Sequence, residues 1–144
     1  MLLLDTDHLS LLDADAPEGV ALGMRLAEAA RTGEQVAVTI ITYEEQMRGW
    51  LAYLAKANSQ AKQVQAYSKL RRHVESFREI PLVDYDANAA RTFEQLRRQG
   101  VRIGSMDLKI ASIALSLDAL LLSRNLRDFN TVPGLRVADW CGSR

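Results

Sequence analysis

Cysteine occurs once in the 144 residues, at Cys141, which excludes an intrachain disulfide and a thiolate metal cluster and fits a reducing compartment. Histidine occurs twice, at His8 and His73, with no zinc-type spacing. Net charge is also absent, because 18 Lys and Arg balance 18 Asp and Glu. Any nucleic-acid partner must then be met by a local patch rather than by the field of the whole molecule. Long apolar runs are missing: "ALLL" at 119–122 is far too short to span a bilayer. The apolar start lacks a basic leader and reaches an acid at Asp5, unlike a signal peptide. The expectation is a cytoplasmic protein without a membrane partner. There is no repeat, low-complexity tract or linker, and a content of 48% hydrophobic residues suits one domain over residues 1–144.

What is present alternates. "LLL" at 2–4 reads as a short central strand with Asp5 at its carboxyl end, the side of an open α/β sheet where ligands bind. Asp5, Thr6 or Asp7 equally suits the cap of a following helix. Residues 17–33 read as a helix opened by Pro17 and closed by Gly33, with Val20, Met24 and Ala27 at helical spacing. "EQVAVTII" (34–41) reads as a second strand, followed by a helix with Thr42 as its cap. Residues 58–78 form an amphipathic pattern through Ala61, Val64, Ala66, Tyr67, Leu70, Val74 and Phe77, and pair with Trp50, Tyr53 and Leu54 as a helical hairpin. A strand at 80–85, a helix from Asp86 to Gly100, an apolar helix from a Ser105 cap to about Asp118, and strands at 119–123 and 135–140 complete the pattern. Such alternation predicts an α/β fold: a three-layer α/β/α domain with a central parallel sheet and a protruding helical pair.

On that scheme the acids fall along one edge. Asp5 ends the first strand, Glu44 and Glu45 follow the second, Asp107 opens the buried helix, and Asn125 and Asp128 follow the fourth strand. Singly, each has a structural explanation; Asp107, for example, suits the helix dipole. Gathered without counter-charge they repel and raise one another's pKa, which implies a cation among them. All-oxygen ligands point to Mg²⁺, with Mn²⁺ able to substitute, and such a site suits metal-assisted hydrolysis of a phosphodiester.

Four stretches in this order, "LLLDTDHLS", "VTIITYEEQMRG", "GSMDLKIASIAL" and "LLLSRNLRDFNTVPGLRVADW", resemble the blocks of PIN-domain ribonucleases, in particular VapC-type toxins of bacterial toxin–antitoxin pairs. The resemblance runs the length of the chain. It implies an Mg²⁺-dependent endoribonuclease with Asp5 and Asp107 as principal metal ligands. It also selects Glu45 over Glu44, because the family's acid stands four residues before a glycine, here Gly49. Asn125 and Asp128 fall at the positions of the family's last polar pair, so that the resemblance implies Glu45, Asn125 and Asp128 as further metal ligands and Asp5, Glu45, Asp107 and Asp128 as the catalytic set. Asn125 supplies no charge. Thr6 is placed to hydrogen-bond a ligand or a substrate phosphate. The resemblance further implies a homodimer and a cognate antitoxin, for which the hairpin aromatics Trp50, Tyr53 and Tyr67 with Leu54 offer apolar surface.

His8 reads as a partly buried hydrogen-bonding residue and Gln46 as solvent-facing. Arg124 and Lys109 are the first candidates for meeting RNA phosphates, with Arg48, Arg102 and Arg127 beside them. Two rivals stay open: a haloacid-dehalogenase-like phosphatase using Asp5 as nucleophile, and a catalytically silent PIN-like binding module.

Overall fold

Strands and helices alternate as expected in the computed structural model, which describes residues 1–14 and 16–142. Five strands, β1 (Leu2–Leu4), β2 (Val36–Thr39), β3 (Leu82–Val83), β4 (Leu120–Leu122) and β5 (Arg136–Ala138), pair in the order β3-β2-β1-β4-β5, with every pairing parallel. Seven helices accompany them: α1 (Thr6–Asp13), α2 (Pro17–Arg31), α3 (Ile40–Ala55), α4 (Gln60–Ser76), α5 (Ala87–Arg98), α6 (Ser105–Ser116) and α7 (Leu126–Phe129). None is long and apolar enough to cross a membrane. Short parallel strands buried on both faces need continuous apolar sequence, and β1 and β4 supply it as Leu-Leu-Leu.

Because successive side chains point to opposite faces of a strand, β1 divides its three leucines between two cores. Leu3 joins Ala37, Leu121 and the buried faces of α5 and α6, including Phe93, Ile110 and Ile113. Leu2 and Leu4 join Val38, Leu122, Leu9 of α1 and Leu22 and Leu26 of α2. The three-layer arrangement follows from this division. The chain runs outward from β1 through β2 to β3, then returns to the other side of β1 to lay down β4 and β5. The order therefore reverses between β1 and β4, which opens a crevice beyond their carboxyl ends.

The helical pair is present as α3 and α4, tied together by rings. Tyr43 meets Phe77 edge-on at 4.7 Å, and His73 lies 4.8 Å from Phe77 and 6.1 Å from Trp50. Its apolar face is narrower than the sequence suggests: Ala66, His73 and Phe77 are buried, whereas Val64, Tyr67 and Val74 are exposed.

Three local expectations are corrected. Thr42 does not cap α3. Strand β2 ends at Thr39, whose hydroxyl accepts the Thr42 amide at 3.1 Å, so the cap lies three residues earlier and Thr42 is buried in the first turn. Ser105 does not cap α6 either; it is the first helical residue, and the cap position is Gly104, without a side-chain bond. In α2 the buried residues are Gly19, Leu22 and Leu26, while Val20 and Met24 are 60% and 70% exposed. Gly19 selects that face. A Cβ there would stand 2.4 Å from the Leu11 carbonyl oxygen and 2.9 Å from that of Ala14, so only glycine lets α2 approach the end of α1 this closely.

Replacing Gly19 by Ala should lower stability by about 1–3 kcal/mol, because backbone rather than a pliable side chain must yield. Gly49→Ala, in open space on the exposed side of α3, should instead raise it by about 0.5–1 kcal/mol. Urea unfolding of the two variants checks both signs.

Candidate active site

Asp5 follows β1 in extended backbone and also begins α1: its Oδ1 accepts the Thr6 amide at 2.8 Å. The cap and the site are thus the same residue. Its Oδ2 accepts the Ser123 hydroxyl at 2.7 Å, and only 6% of the residue is exposed. The register dictates this contact, since Leu4 pairs with Leu122 and the next residue of each strand is Asp5 and Ser123. Thr6 turns its hydroxyl to Glu45 Oε2 at 3.2 Å, which connects the start of α1 to the second turn of α3. Asp107 stands in the first turn of α6. Asn125, just after β4, donates its amide nitrogen to Asp107 Oδ2 at 3.2 Å and to Asp128 Oδ2 at 3.1 Å. It clips two carboxylates together as a donor, whereas the expected ligand role would use its oxygen.

The electrostatics show that these acids share one neighbourhood. Burial raises the Asp5 carboxyl above the ordinary range, and the Asp7 charge adds to that. Glu45 is raised by burial and then by the charges of Asp5, Asp107 and Glu44, and Asp107 by burial and then by Asp5 and Asp128. Among the described residues none of Asp5, Glu45, Asp107 and Asp128 has a Lys or Arg nitrogen within 4.0 Å. Their relief comes from the neutral donors Thr6, Ser123 and Asn125.

A divalent cation fits what is left over. Glu45 Oε1 is buried and lacks a hydrogen-bond partner, which an acceptor tolerates at a cost of about 1–3 kcal/mol unless something positive meets it. The donors are all oxygen, as a hard ion prefers. Among the described residues no three of these acids bring one oxygen each within 4.8 Å of the others, so the cluster is open. Mg²⁺ suits an open cluster because it keeps several waters and takes only one or two carboxylates directly.

The remaining candidates separate. Glu44 pairs with Arg48 across one turn, which leaves it outside the cluster and occupies Arg48. Arg124 gives its backbone amide to Asp7 at 2.9 Å and its side chain to the Cys141 thiol, so the guanidinium turns toward the segment after β5. Lys109 lies over the Tyr85 ring at 5.9 Å. Arg102 lines a cavity of about 490 Å³ with Arg97, Phe93 and Ser105 at the mouth of α6. Gln46 is half-buried and bonds Ser10, rather than simply facing solvent. His8 is completely buried, not partly. Sequence reasoning misses Ser123, although its place at the end of "LLLS" next to an Asp-terminated strand marks it once the two strands are known to be neighbours.

An all-parallel α/β sheet with acids gathered at the reversal of strand order places them in the crevice where α/β domains of this class bind their ligands. Comparison narrows the class. No family model matches the chain. The tRNA(fMet)-specific endonuclease VapC of Salmonella typhimurium is 38% identical over 66 residues, covering 43% of this chain and 50% of the relative, so the chain spans about half the length of that curated protein in the match. Among solved structures, VapBC2 from Rickettsia felis bound to a promoter DNA fragment superposes with a TM-score of 0.74 at 24% identity, covering 96% of this chain and 98% of that one. DNA-bound VapBC from Salmonella typhimurium gives 0.72 at 25% identity, with 97% and 98% covered. The resemblance read from the four blocks is met in the fold, which is similar to that of these VapBC structures over nearly the whole chain, and over part of the chain in sequence similarity to VapC endonucleases.

Raised acids set a pH dependence. A carboxyl that binds its proton more tightly folded than unfolded adds stability fully present below its unfolded pKa, and that stability is lost as pH rises through its folded pKa. Metal-free Asp107→Asn, which removes one such group, should therefore melt at or above the wild-type temperature near pH 7.5, and any advantage should shrink on acidification toward the ordinary carboxylate range. Thermal melts in chelator across that range check the sign; a clear loss of stability near neutrality would assign Asp107 to the helix dipole alone.

Proposed function

We propose that the protein is an Mg²⁺-dependent endoribonuclease that acts as the toxin of a toxin–antitoxin pair. The observation that carries this reading is the uncompensated group of Asp5, Glu45, Asp107 and Asp128 around a buried, partnerless Glu45 oxygen. Asp5, Asp107 and Glu45 would hold the ion, with Asp128 beside them. A bound divalent ion supplies charge neutralisation for the phosphodiester and a more acidic water. The chain's own residues do the rest: Thr6 fixes Glu45, Ser123 fixes Asp5, and Asn125 keeps Asp107 and Asp128 in one orientation. The name of the Salmonella relative, a tRNA-specific endonuclease, supports RNA as the substrate class.

Partner binding is part of the same proposal. Tyr53 and Leu51 on α3 and Val64 and Tyr67 on α4 are exposed, an apolar area on the helical pair of the kind that accommodates a partner's helix or strand. We assign it to a cognate antitoxin, with a second copy of the chain completing the complex; the VapBC assemblies among the structural neighbours support this.

The phosphatase alternative loses ground because a nucleophilic Asp of that kind works beside a lysine, and among the described residues no Lys nitrogen lies within 4.0 Å of Asp5.

Purified protein with mixed RNA and Mg²⁺ should produce discrete cleavage, abolished by chelator. Asp5→Asn and Asp107→Asn should each reduce the rate by about 100-fold or more, the scale on which losing a group that stabilises transition-state charge acts. A phosphate monoester run in parallel should remain intact. Turnover of the monoester would favour the phosphatase, and no turnover of either substrate the silent module.

A further inference from the structure

His8 is wholly buried three residues beyond Asp5, and the proposed chemistry does not use it. Both of its ring nitrogens are engaged. The Trp140 backbone amide, which can only donate, lies 3.0 Å from Nε2, so Nε2 is the lone-pair acceptor. The ring proton is then on Nδ1, which donates to Asp7 Oδ1 at 2.7 Å. The other oxygen of Asp7 accepts the Arg124 amide at 2.9 Å. Arg124 stands between Ser123, which holds Asp5, and Asn125, whose own amide donates to Ser123 Oγ at 3.0 Å. One continuous path of hydrogen bonds therefore runs from Trp140 through the imidazole and Asp7 to the turn that carries the donors of the acid cluster.

We propose that His8 is a positioning residue: it orients Asp7 so that this carboxylate grips the 123–125 turn, and it latches that grip to the segment following β5. The inference rests on the ribonuclease reading only for its kinetic consequence. One further feature strengthens it: the far end of the path is itself anchored, with the Arg25 guanidinium 3.9 Å above the Trp140 ring and Asp139 accepting the Cys141 amide at 2.7 Å. His8, Asp139 and Cys141 also bring ligand atoms within 4.8 Å of one another. A metal ion there would need the Nε2 lone pair that Trp140 occupies, and burial pushes the Cys141 thiol up, away from the thiolate a metal takes.

Two substitutions split the path. In His8→Asn the amide nitrogen takes the place of Nδ1 and still reaches Asp7 but not Trp140; in His8→Gln the longer side chain reaches Trp140 and leaves Asp7 ungripped. Both leave a similar void, so their melting temperatures should fall together. In metal-free protein, amide hydrogen exchange at Arg124 and Asn125 should stay close to wild type in His8→Asn and speed up about tenfold or more in His8→Gln. Nitrogen-15 spectra of the wild type should place the His8 proton on Nδ1. At saturating Mg²⁺, kcat for RNA cleavage should fall about 10- to 100-fold in His8→Gln, the usual effect of losing a partner behind a metal ligand, and no more than about threefold in His8→Asn. Equal exchange in the two variants, a proton on Nε2, or a zinc-induced rise in melting temperature that His8→Asn abolishes would each overturn the proposal. If the exchange contrast holds while the wild type cleaves no RNA, the functional reading fails and the positioning role stands. If the wild type cleaves RNA but the two variants exchange alike, the positioning role fails and the ribonuclease reading stands.

Discussion

Mutual repulsion among four carboxylates gathered at the carboxyl edge of the sheet is the constraint on which the rest of this structure depends. Each of Asp5, Glu45 and Asp107 holds its proton more tightly than a free acid, because burial and the neighbouring charges act in the same direction. Among the described residues no lysine or arginine lies close enough to pair with that charge. The fold only arranges neutral hydrogen-bond donors around it, which orients the oxygens while leaving the field intact. A protein shaped for stability alone would not keep such an arrangement, and the tension it stores is what a divalent ion would relieve.

The sheet order produces that tension geometrically. With β1 in the middle and the reversal falling between β1 and β4, the residues just beyond both strands face one crevice, and α3 delivers Glu45 into it from its second turn and α6 delivers Asp107 from its first. The leucines of β1 serve both cores at once, so the strand that ends in Asp5 is immobilised from both sides. A rigid frame is what a site of repelling groups requires, since a pliable one would let the acids drift apart.

Much of this is legible in the residues themselves. Continuous apolar triplets mark β1 and β4, and Pro17, Asp86 and Gly100 mark helix ends, because strand burial and capping act over a few residues. The same local reasoning fails where two solutions have equal local merit. Thr39 and Thr42 are both good caps, and only the point at which β2 stops pairing decides between them. Helix α2 is apolar on more than one side, and its buried face is chosen by how closely Gly19 can meet the backbone of α1. Ser123 and the full burial of His8 escape for a related reason: they depend on partners 118 and 132 positions away, which no periodicity encodes.

That separation has a bearing on synthesis. The strand bearing Asp5 leaves the ribosome long before the hydroxyl that steadies it, the amide that clips Asp107 to Asp128, and the backbone that secures His8. A nascent chain halted anywhere short of β4 holds the leading acid but cannot assemble the centre. The acid cluster would thus stay incomplete on the ribosome until β4 and the turn beyond it had emerged, whatever the earlier strands and helices had already formed.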